Sequence, residues 1–214
     1  MYFDKLIEAN SFNKKIGLNS LEISKPTENK YLENPEFFPQ LGKYLNINEP
    51  HELVANCNIV SEVIRDVIEK EIGCKAYLTI GDVIIDQKPF FNIDPEYITS
   101  VIKTGEKSLY PQKYHHHAWI TLDSMEILDF TFNTSLALLS KNLSEDMRMQ
   151  LLGGVLSGHP DYLKHGVTYN PVVLGEEFYQ KYDSVYSEYK QIYINQLASK
   201  ENGFNTQFIK QNNT

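Results

Sequence analysis

The spacing of apolar residues along the chain predicts several amphipathic helices. From Asn56 onward, apolar side chains recur at intervals of three and four residues, which places them on one side of a helix. Gly73 follows and suits the left-handed residue beyond a helix end. Similar spacing predicts long helices over 135–152 and 176–199 and a short helix over 96–104. The apolar positions of the first helix are Val60, Val63, Ile64, Val67, Ile68 and Ile72.

Alternation of apolar and polar residues predicts three strands. The first strand runs over 76–85, with Gly81-Asp82 as the place for a bulge or kink. Two further strands, over 116–122 and 126–132, form an antiparallel hairpin. A chain that combines such a hairpin with amphipathic helices is predicted to have an α+β fold. The core-facing positions of the hairpin are Ala118, Ile120, Leu122, Leu128, Phe130 and Phe132.

These patterns divide the chain into four segments. Residues 1–49 are polar and rich in proline, and we predict a loop-rich arm with short helical turns. Residues 50–133 hold the first long helix and the strands, and are predicted to form the core. Residues 134–200 are predicted to be a helical extension that packs on this core. The polar tail, 201–214, is expected to fray.

The charge balance argues against nucleic acid as a partner. The chain of 214 residues has 20 Lys plus Arg and 28 Asp plus Glu, a formal net charge of −8. The only arginines are Arg65 and Arg148, so the forked guanidinium groups that bind phosphate are scarce. Nothing in this composition supplies the electrostatic footprint of a nucleic-acid-binding protein.

The sequence shows neither a membrane span nor a secretory signal. No apolar run approaches the roughly 18–20 residues that cross a bilayer. The first residues lack a basic region followed by an apolar stretch. The two cysteines, Cys57 and Cys74, allow at most one disulfide, so a reduced compartment is the simpler interpretation. We therefore expect a cytoplasmic protein with no membrane partner, with export as an effector left open.

Cys57 is the first candidate for chemistry, because it stands at or next to the start of the helix that follows Asn56. The positive end of the helix dipole favours the nucleophilic thiolate there. Backbone N–H groups of the first turn point toward any oxyanion that forms beside it. The alternative is a small buried cysteine that happens to begin a helix. Cys74 lies at the opposite end of the helix and is predicted to be structural.

His117 and Asp129 form the second candidate, because the hairpin brings them together. If the turn pairs Thr121 with Met125, then His117 lies directly opposite Asp129, with Cβ atoms roughly 4.5–5.5 Å apart. A carboxylate there fixes the imidazole tautomer and stabilises the imidazolium. Trp119 shares this face and is predicted to shield the pair from water. The alternative is a surface histidine beside a surface aspartate.

The order of these groups resembles the papain-like cysteine enzymes and, within them, the transglutaminase-like branch. The matching segments are Asn56-Cys57-Asn58 at the helix start, His117-Ala118-Trp119-Ile120 on one strand and Leu128-Asp129-Phe130-Thr131 on the next. The resemblance covers roughly residues 50–133. It implies a papain-like core, in which a helix that carries the nucleophile packs on an antiparallel sheet. It also implies Cys57 as nucleophile, His117 as general base and acid, and Asp129 as the orienting residue.

The reaction that the resemblance implies is acyl transfer through a thioester, with no cofactor. The enzyme would be a hydrolase, deamidase or transglutaminase that acts on a peptide, a protein or a small amide. Asn56, Asn58 and Trp119 are the candidate oxyanion- or substrate-binding residues. Asn56 is expected to cap the helix, with donation to the oxyanion as the alternative. Many relatives have glycine shortly before the cysteine and an aromatic residue after it, whereas this chain has asparagine on both sides.

Two other interpretations use the same residues. His115, His117 and Asp129, with Cys57, suit a tetrahedral zinc site, which would make the protein a zinc-dependent hydrolase. A binding module on the same fold would need no catalysis at all. Separately, the glycine-containing stretch 153–171 is predicted to be a loop, with a lid over the site as an alternative interpretation.

Overall fold

The protein has an α+β fold built around one antiparallel sheet. The computed structural model describes residues 1–42, 56–105, 116–164, 166–182, 186–188 and 190–192. Its helices are α1 (Tyr2–Ile16), α2 (Phe37–Gly42), α3 (Cys57–Val67, continued by a π-helical turn at Ile68–Ile72), α4 (Pro95–Thr104), α5 (Phe132–Leu139), α6 (Glu145–Leu151) and α7 (Glu177–Tyr182). Its strands are β1 (Ala76–Ile85), β2 (Lys88–Pro89), β3 (His117–Leu122), β4 (Ile127–Asp129), β5 (Leu156–Gly158) and β6 (Val167–Leu174).

The long strand β1 organises the sheet, because it pairs with neighbours on both edges. Thr79 pairs with Trp119 of β3 and also with Leu174 of β6, so β3 and β6 lie on opposite edges of β1. Beyond β3, the order continues through β4 to β5. The described pairings are all antiparallel.

Helices cover both faces of this sheet. On one face, α3 packs its apolar side on β3 and β4, as the alternation predicts. On the other face, α1 packs on β1, β3 and β6. Both faces of β3 are therefore buried along its whole length. The residues of the α3 interface include Val60, Ile64, Ile68, Ile120, Leu122 and Leu128, and those of the α1 interface include Tyr2, Leu6, Ala9, Tyr77, Trp119 and Tyr169.

Gly81 is where the sheet departs from regular geometry, and no other residue fits there. The β1–β6 register shifts between Ile80 and Gly81, which confirms the predicted bulge. A Cβ atom added to Gly81 would lie 2.1 Å from the carbonyl oxygen of Asn170 and 2.9 Å from the ring of Trp119. Gly81 also pairs with His117, so this close approach of strands occurs beside the candidate site.

Several elements match their predictions, and several do not. The predicted strand 76–85 and the helices that begin near residues 56 and 96 are confirmed. The loop-rich arm is wrong for residues 2–16, because they form a full helix that buries one side against the sheet. The second hairpin strand ends at Asp129 instead of Phe132, which begins α5.

The helical prediction for 134–200 is also incomplete, because this segment contributes two strands to the sheet. The predicted helix over 135–152 is two helices, α5 and α6, with a break between them. The stretch predicted as a loop or lid contains β5, a 3₁₀ turn at Pro160–Tyr162 and the start of β6. In the last predicted helix, the described part begins with α7. Among the described residues, none of the helices is both long enough and apolar enough to cross a bilayer.

Candidate active site

The candidate site is centred on a buried ion pair between His117 and Asp129. Nε2 of the imidazole lies 2.6 Å from Oδ2 of the carboxylate, and the two side chains are 1% and 0% exposed. This distance is typical of a charge-assisted hydrogen bond. Because Nε2 faces Asp129, Nδ1 is the ring nitrogen left for a nucleophile or a substrate. The sequence-based interpretation of a surface histidine beside a surface aspartate is therefore wrong.

The predicted register of the hairpin is wrong, although the pair forms. Ile120 pairs with Leu128 and Thr121 with Ile127, a register that places Asp129 opposite Trp119 instead of His117. The turn has three residues, 123–125, and Met125 adopts a left-handed φ of 69°, as in three-residue hairpins. The prediction paired Thr121 with Met125, which lies two residues before its observed partner Ile127. A shift of two residues keeps the same side chains on the same face, so His117 reaches Asp129 diagonally.

Asp129 is held by hydrogen bonds to both of its carboxylate oxygens. Oδ1 accepts the N–H of Thr131 at 3.0 Å, the hydroxyl of Thr131 at 3.3 Å and the N–H of Phe132 at 2.9 Å, all at the start of α5. Oδ2 accepts the hydroxyl of Tyr169 at 2.8 Å, in addition to His117. Burial alone would raise the pKa of Asp129, but the charge of His117 and these donors outweigh it and lower the pKa.

Cys57 is the half-buried first residue of α3, and it is one of the groups that raise the pKa of the His117 imidazole. Burial disfavours the charged imidazolium, but the charge and hydrogen bond of Asp129, together with those of Cys57, raise the pKa of His117 to about 10. One turn further along α3, the hydroxyl of Ser61 donates to the carbonyl of Ala118 at 3.1 Å. This buried bond ties the helix to β3 beside the pair and fixes the position of Cys57 relative to His117.

The three candidate oxyanion- or substrate-binding residues differ in their burial and in their place relative to α3. Asn56 stands at the N-cap position, but its side chain makes no capping hydrogen bond, so the predicted cap is wrong. Its backbone lies at φ −112° and ψ 17°, outside the extended region that directs a capping side chain at the helix N–H groups. Asn58 is half-buried in the first turn of α3. Trp119 is fully buried, so it is not placed to touch a substrate.

Trp119 instead packs behind the pair, as the shielding prediction requires. Its ring lies 6.2 Å from that of His117 at an interplanar angle of 26°. Its Nε1–H donates to the hydroxyl of Tyr2 at 2.8 Å, and that hydroxyl is bonded to Thr121 at 2.8 Å. A buried polar chain from α1 therefore anchors the face of the sheet that carries His117.

Sequence reasoning missed two side chains that touch the pair. Tyr169 donates to Asp129 from β6, and alternation of Val167, Tyr169, Pro171 and Val173 was the signal for that strand. Phe91 stacks on His117, with ring centroids 4.5 Å apart and planes 3° apart. Phe91 follows a two-residue strand in a stretch without clear periodicity, so the sequence carries no comparable signal for it.

The histidine run does not form a metal centre within the described residues. His116 is buried among the rings of Phe178, Tyr179 and Tyr182 on the other side of the strand. His115 lies outside the described residues. In the part of the chain that the structure describes, no group of three or more His, Cys, Asp or Glu side chains is arranged to hold a metal ion.

Cys74 differs from Cys57 in its surroundings. It is buried, and burial together with the charge of Asp123 raises the pKa of its thiol to about 12. The direction of this shift agrees with the predicted structural role, although burial and not the helix dipole is its main cause.

Comparisons with known proteins add no relatives. No protein-family model matches the chain, and no curated protein or solved structure gives a significant match.

Proposed function

We propose that the protein is a cysteine-dependent acyl-transfer enzyme with Cys57, His117 and Asp129 as its triad. The observation that carries this proposal is the buried 2.6 Å pair of His117 and Asp129, with Cys57 at the start of α3 raising the pKa of the same imidazole. A solvated surface pair would need none of the four further hydrogen bonds that Asp129 accepts. A nucleophile, a base and an orienting carboxylate on three different elements have the arrangement that covalent catalysis requires.

The electrostatics of the site favour attack by a thiolate. With a pKa of about 10, the imidazole of His117 is protonated at neutral pH, and an adjacent imidazolium stabilises a thiolate. The thiolate of Cys57 attacks the carbonyl carbon, and the oxygen becomes an oxyanion beside first-turn N–H groups of α3, which have no intrahelical acceptor. His117 then gives its proton to the leaving amine as the C–N bond breaks, which leaves a thioester.

Water or a second amine completes the reaction. His117 takes a proton from this acceptor as it attacks the thioester, the C–S bond breaks, and the thiolate of Cys57 is restored. Asp129 remains ionised throughout and keeps Nε2 of His117 protonated, so that Nδ1 carries the transferred proton. A peptide, a protein or a small amide fits this chemistry, with hydrolysis, deamidation and transamidation as its possible outcomes. The α3 helix on an antiparallel sheet that bears His117 and Asp129 supports a papain-like core.

Substitution of the nucleophile is the direct test. We expect Cys57→Ala to abolish turnover of a peptide-amide library while the circular dichroism spectrum and melting temperature stay close to those of the wild type, because Cys57 is only half-buried. The variant Cys74→Ala is the matched control and should retain activity. Full activity of Cys57→Ala would refute the mechanism.

Thiol labelling tests the same proposal without a known substrate. We expect iodoacetamide to label Cys57 rapidly at pH 6.5, and His117→Ala to slow this labelling by about 10-fold or more, because the imidazolium that stabilises the thiolate is gone. Cys74 is an internal control that should stay unlabelled in the folded protein. Peptide mapping by mass spectrometry gives both rates. A Cys57 that reacts no faster than glutathione, with or without His117, would instead support the binding-module alternative.

A further inference from the structure

The segment from β2 to the start of α4 passes over the candidate site. We call residues 88–94 the strap. It begins as β2, which pairs with the end of β1, and it ends at Asp94, whose carboxylate caps α4 by accepting the N–H groups of Glu96 and Tyr97. Both ends of the strap are therefore fixed to regular elements.

The middle of the strap is held by a buried carboxylate. Asp82, which is 5% exposed, accepts the N–H of Phe91 at 2.9 Å through Oδ1 and the N–H of Asn92 at 3.1 Å through Oδ2. The N–H of Phe90 donates to the carbonyl of Val83 at 2.8 Å. The ring of Phe90 also packs edge-on against Phe132, with centroids 5.7 Å apart. Such anchoring makes the strap a preformed surface.

Of two apolar side chains in the strap, Phe91 contacts a reacting group and Ile93 packs on a cluster that Cys57 also contacts. Phe91 stacks on the ring of His117. Ile93 packs on the buried cluster that includes Ile59, and Cys57 packs on that same cluster. Phe91 and Ile93 are half-buried, whereas Asn92 between them is exposed. Phe91 therefore contacts His117 with one part of its side chain and leaves another part accessible.

We propose that the strap is the surface that recognises the acyl side of the substrate, and that it selects an aromatic or aliphatic group next to the reacting carbonyl. This inference rests on the proposed function. The acyl carbon is bonded to Cys57 in the intermediate, and His117 transfers protons at this carbon's leaving and attacking groups. The substituent on the acyl carbon must therefore lie close to both residues. There, an apolar substituent loses contact with water against Phe91, whereas a charged one loses hydration without gaining a partner from this side chain.

A matched set of chloroacetamides tests this selection. The probes are N-benzyl chloroacetamide, N-carboxymethyl chloroacetamide and unsubstituted chloroacetamide, and each rate of Cys57 labelling is divided by the rate of the same probe with glutathione. We expect the benzyl probe to exceed the carboxymethyl probe by about 10-fold or more, the size of discrimination that apolar contacts provide. In Phe91→Ser, this ratio should fall to about 3 or below, while unsubstituted chloroacetamide changes by no more than about 2-fold.

Three further variants separate recognition from folding. Phe91→Leu keeps an apolar side chain and should retain most of the ratio. Asp82→Asn replaces one of the two oxygens that accept strap N–H groups, but it changes neither Phe91 nor Ile93. It should therefore lower the ratio only in part. Tyr162→Ser removes an aromatic residue that is 80% exposed at a different position, and should leave the ratio unchanged.

The outcomes that contradict the inference are distinct from those that contradict the proposed function. Equal corrected rates for the benzyl and carboxymethyl probes in the wild type would overturn the selection, as would an unchanged ratio in both Phe91→Ser and Asp82→Asn. In either case unsubstituted chloroacetamide would still label Cys57, and the proposed function would stand. A Cys57 that resists unsubstituted chloroacetamide would overturn the proposed function and this inference with it.

Discussion

Two buried carboxylates, Asp129 and Glu62, differ sharply in their surroundings although both side chains are 0% exposed. Asp129 accepts hydrogen bonds on both oxygens, including one from His117. Glu62, on the same helix as Cys57, pairs through Oε1 with Lys190, while its Oε2 has no hydrogen-bond partner among the residues that the structure describes. The depth of burial is the same, so the difference lies in the number of donors.

The pKa values of the two carboxylates differ in the direction that the number of hydrogen-bond donors around each one predicts. Donors and the charge of His117 lower the pKa of Asp129. Burial, together with the neighbouring carboxylate of Glu176, raises the pKa of Glu62 to about 7, against the opposing effect of Lys190. Glu176 itself pairs with Arg65 at 3.1 Å. A buried carboxylate thus keeps its charge only where donors surround it, and the candidate site is such a place.

The largest expected effect comes from the same chemical change at both positions. Asp129→Asn removes the charge that His117 requires, and breaking a buried ion pair costs about 3–5 kcal/mol of unfolding free energy. Glu62→Gln removes a charge that burial disfavours, so at pH 8 its effect should be neutral or stabilising. Urea denaturation of the two variants measures both changes.

Equal destabilisation by the two substitutions would contradict the contrast between Asp129 and Glu62. If Asp129→Asn and Glu62→Gln destabilise the protein by the same amount, then the donors around Asp129 do not set it apart. The labelling rate of Cys57 is a second measurement, and it should fall in Asp129→Asn and stay near that of the wild type in Glu62→Gln.

A smaller effect is expected when one donor to Asp129 is removed. Tyr169→Phe deletes only the hydroxyl that bonds to Oδ2. A hydrogen bond to a charged group contributes about 1.5–3 kcal/mol, so the unfolding free energy should decrease by about that amount. Tyr162→Phe, at an exposed tyrosine, is the matched control and should change nothing measurable. An unaffected Tyr169→Phe would show that the remaining donors suffice.

The smallest effect concerns pH and is specific to Glu62. Because the pKa of Glu62 is raised in the folded state, the folded protein binds more protons than the unfolded chain between the ordinary pKa of 4.5 and about 7. Stability should therefore fall as pH rises through this window. Glu62→Gln should remove this contribution and gain roughly 2–4 °C in melting temperature relative to the wild type between pH 5 and pH 8. A difference between the two proteins that does not change with pH would contradict the assignment.

His117 contributes over a different range, which keeps the two groups separable. Its folded pKa is raised from 6.5 to about 10, so its stabilisation is fully present below 6.5 and is lost as pH rises through 10. The decline above pH 7 should therefore persist in Glu62→Gln.

The parts of the fold that the sequence predicted are those with strong local periodicity. The helix of Cys57 and the strand 76–85 show their buried faces as regular repeats, and both form as predicted. The helix Tyr2–Ile16 was missed because polar residues such as Asn13 interrupt its apolar side. Asn13 is buried, since its side chain bonds to the backbone of Leu174, and such a tertiary contact has no local signature.

The sequence predicted which residues of the hairpin pair and that they share a face of the sheet, but it predicted the wrong register between the two strands. His117 and Asp129 belong to one hairpin, and the predicted and observed registers differ by two residues, so both registers place them on the same face. The length of the turn depends on the left-handed backbone of Met125. Methionine rarely adopts this conformation, so the sequence gives no sign of it. Tyr169 and Phe91 come from distant or aperiodic segments, and only the assembled sheet brings them to the pair.

The pairing of β6 with β1 has a consequence for the order in which the protein assembles. Ile80 pairs with Val173, far along the chain, and such distant contacts close late and slowly. During synthesis, Cys57, His117 and Asp129 all leave the ribosome before Tyr169 does. Until β6 docks, the nascent chain carries the thiol and its base while one edge of β1 stays open to other strands. Completion of the site is therefore tied to closure of the sheet.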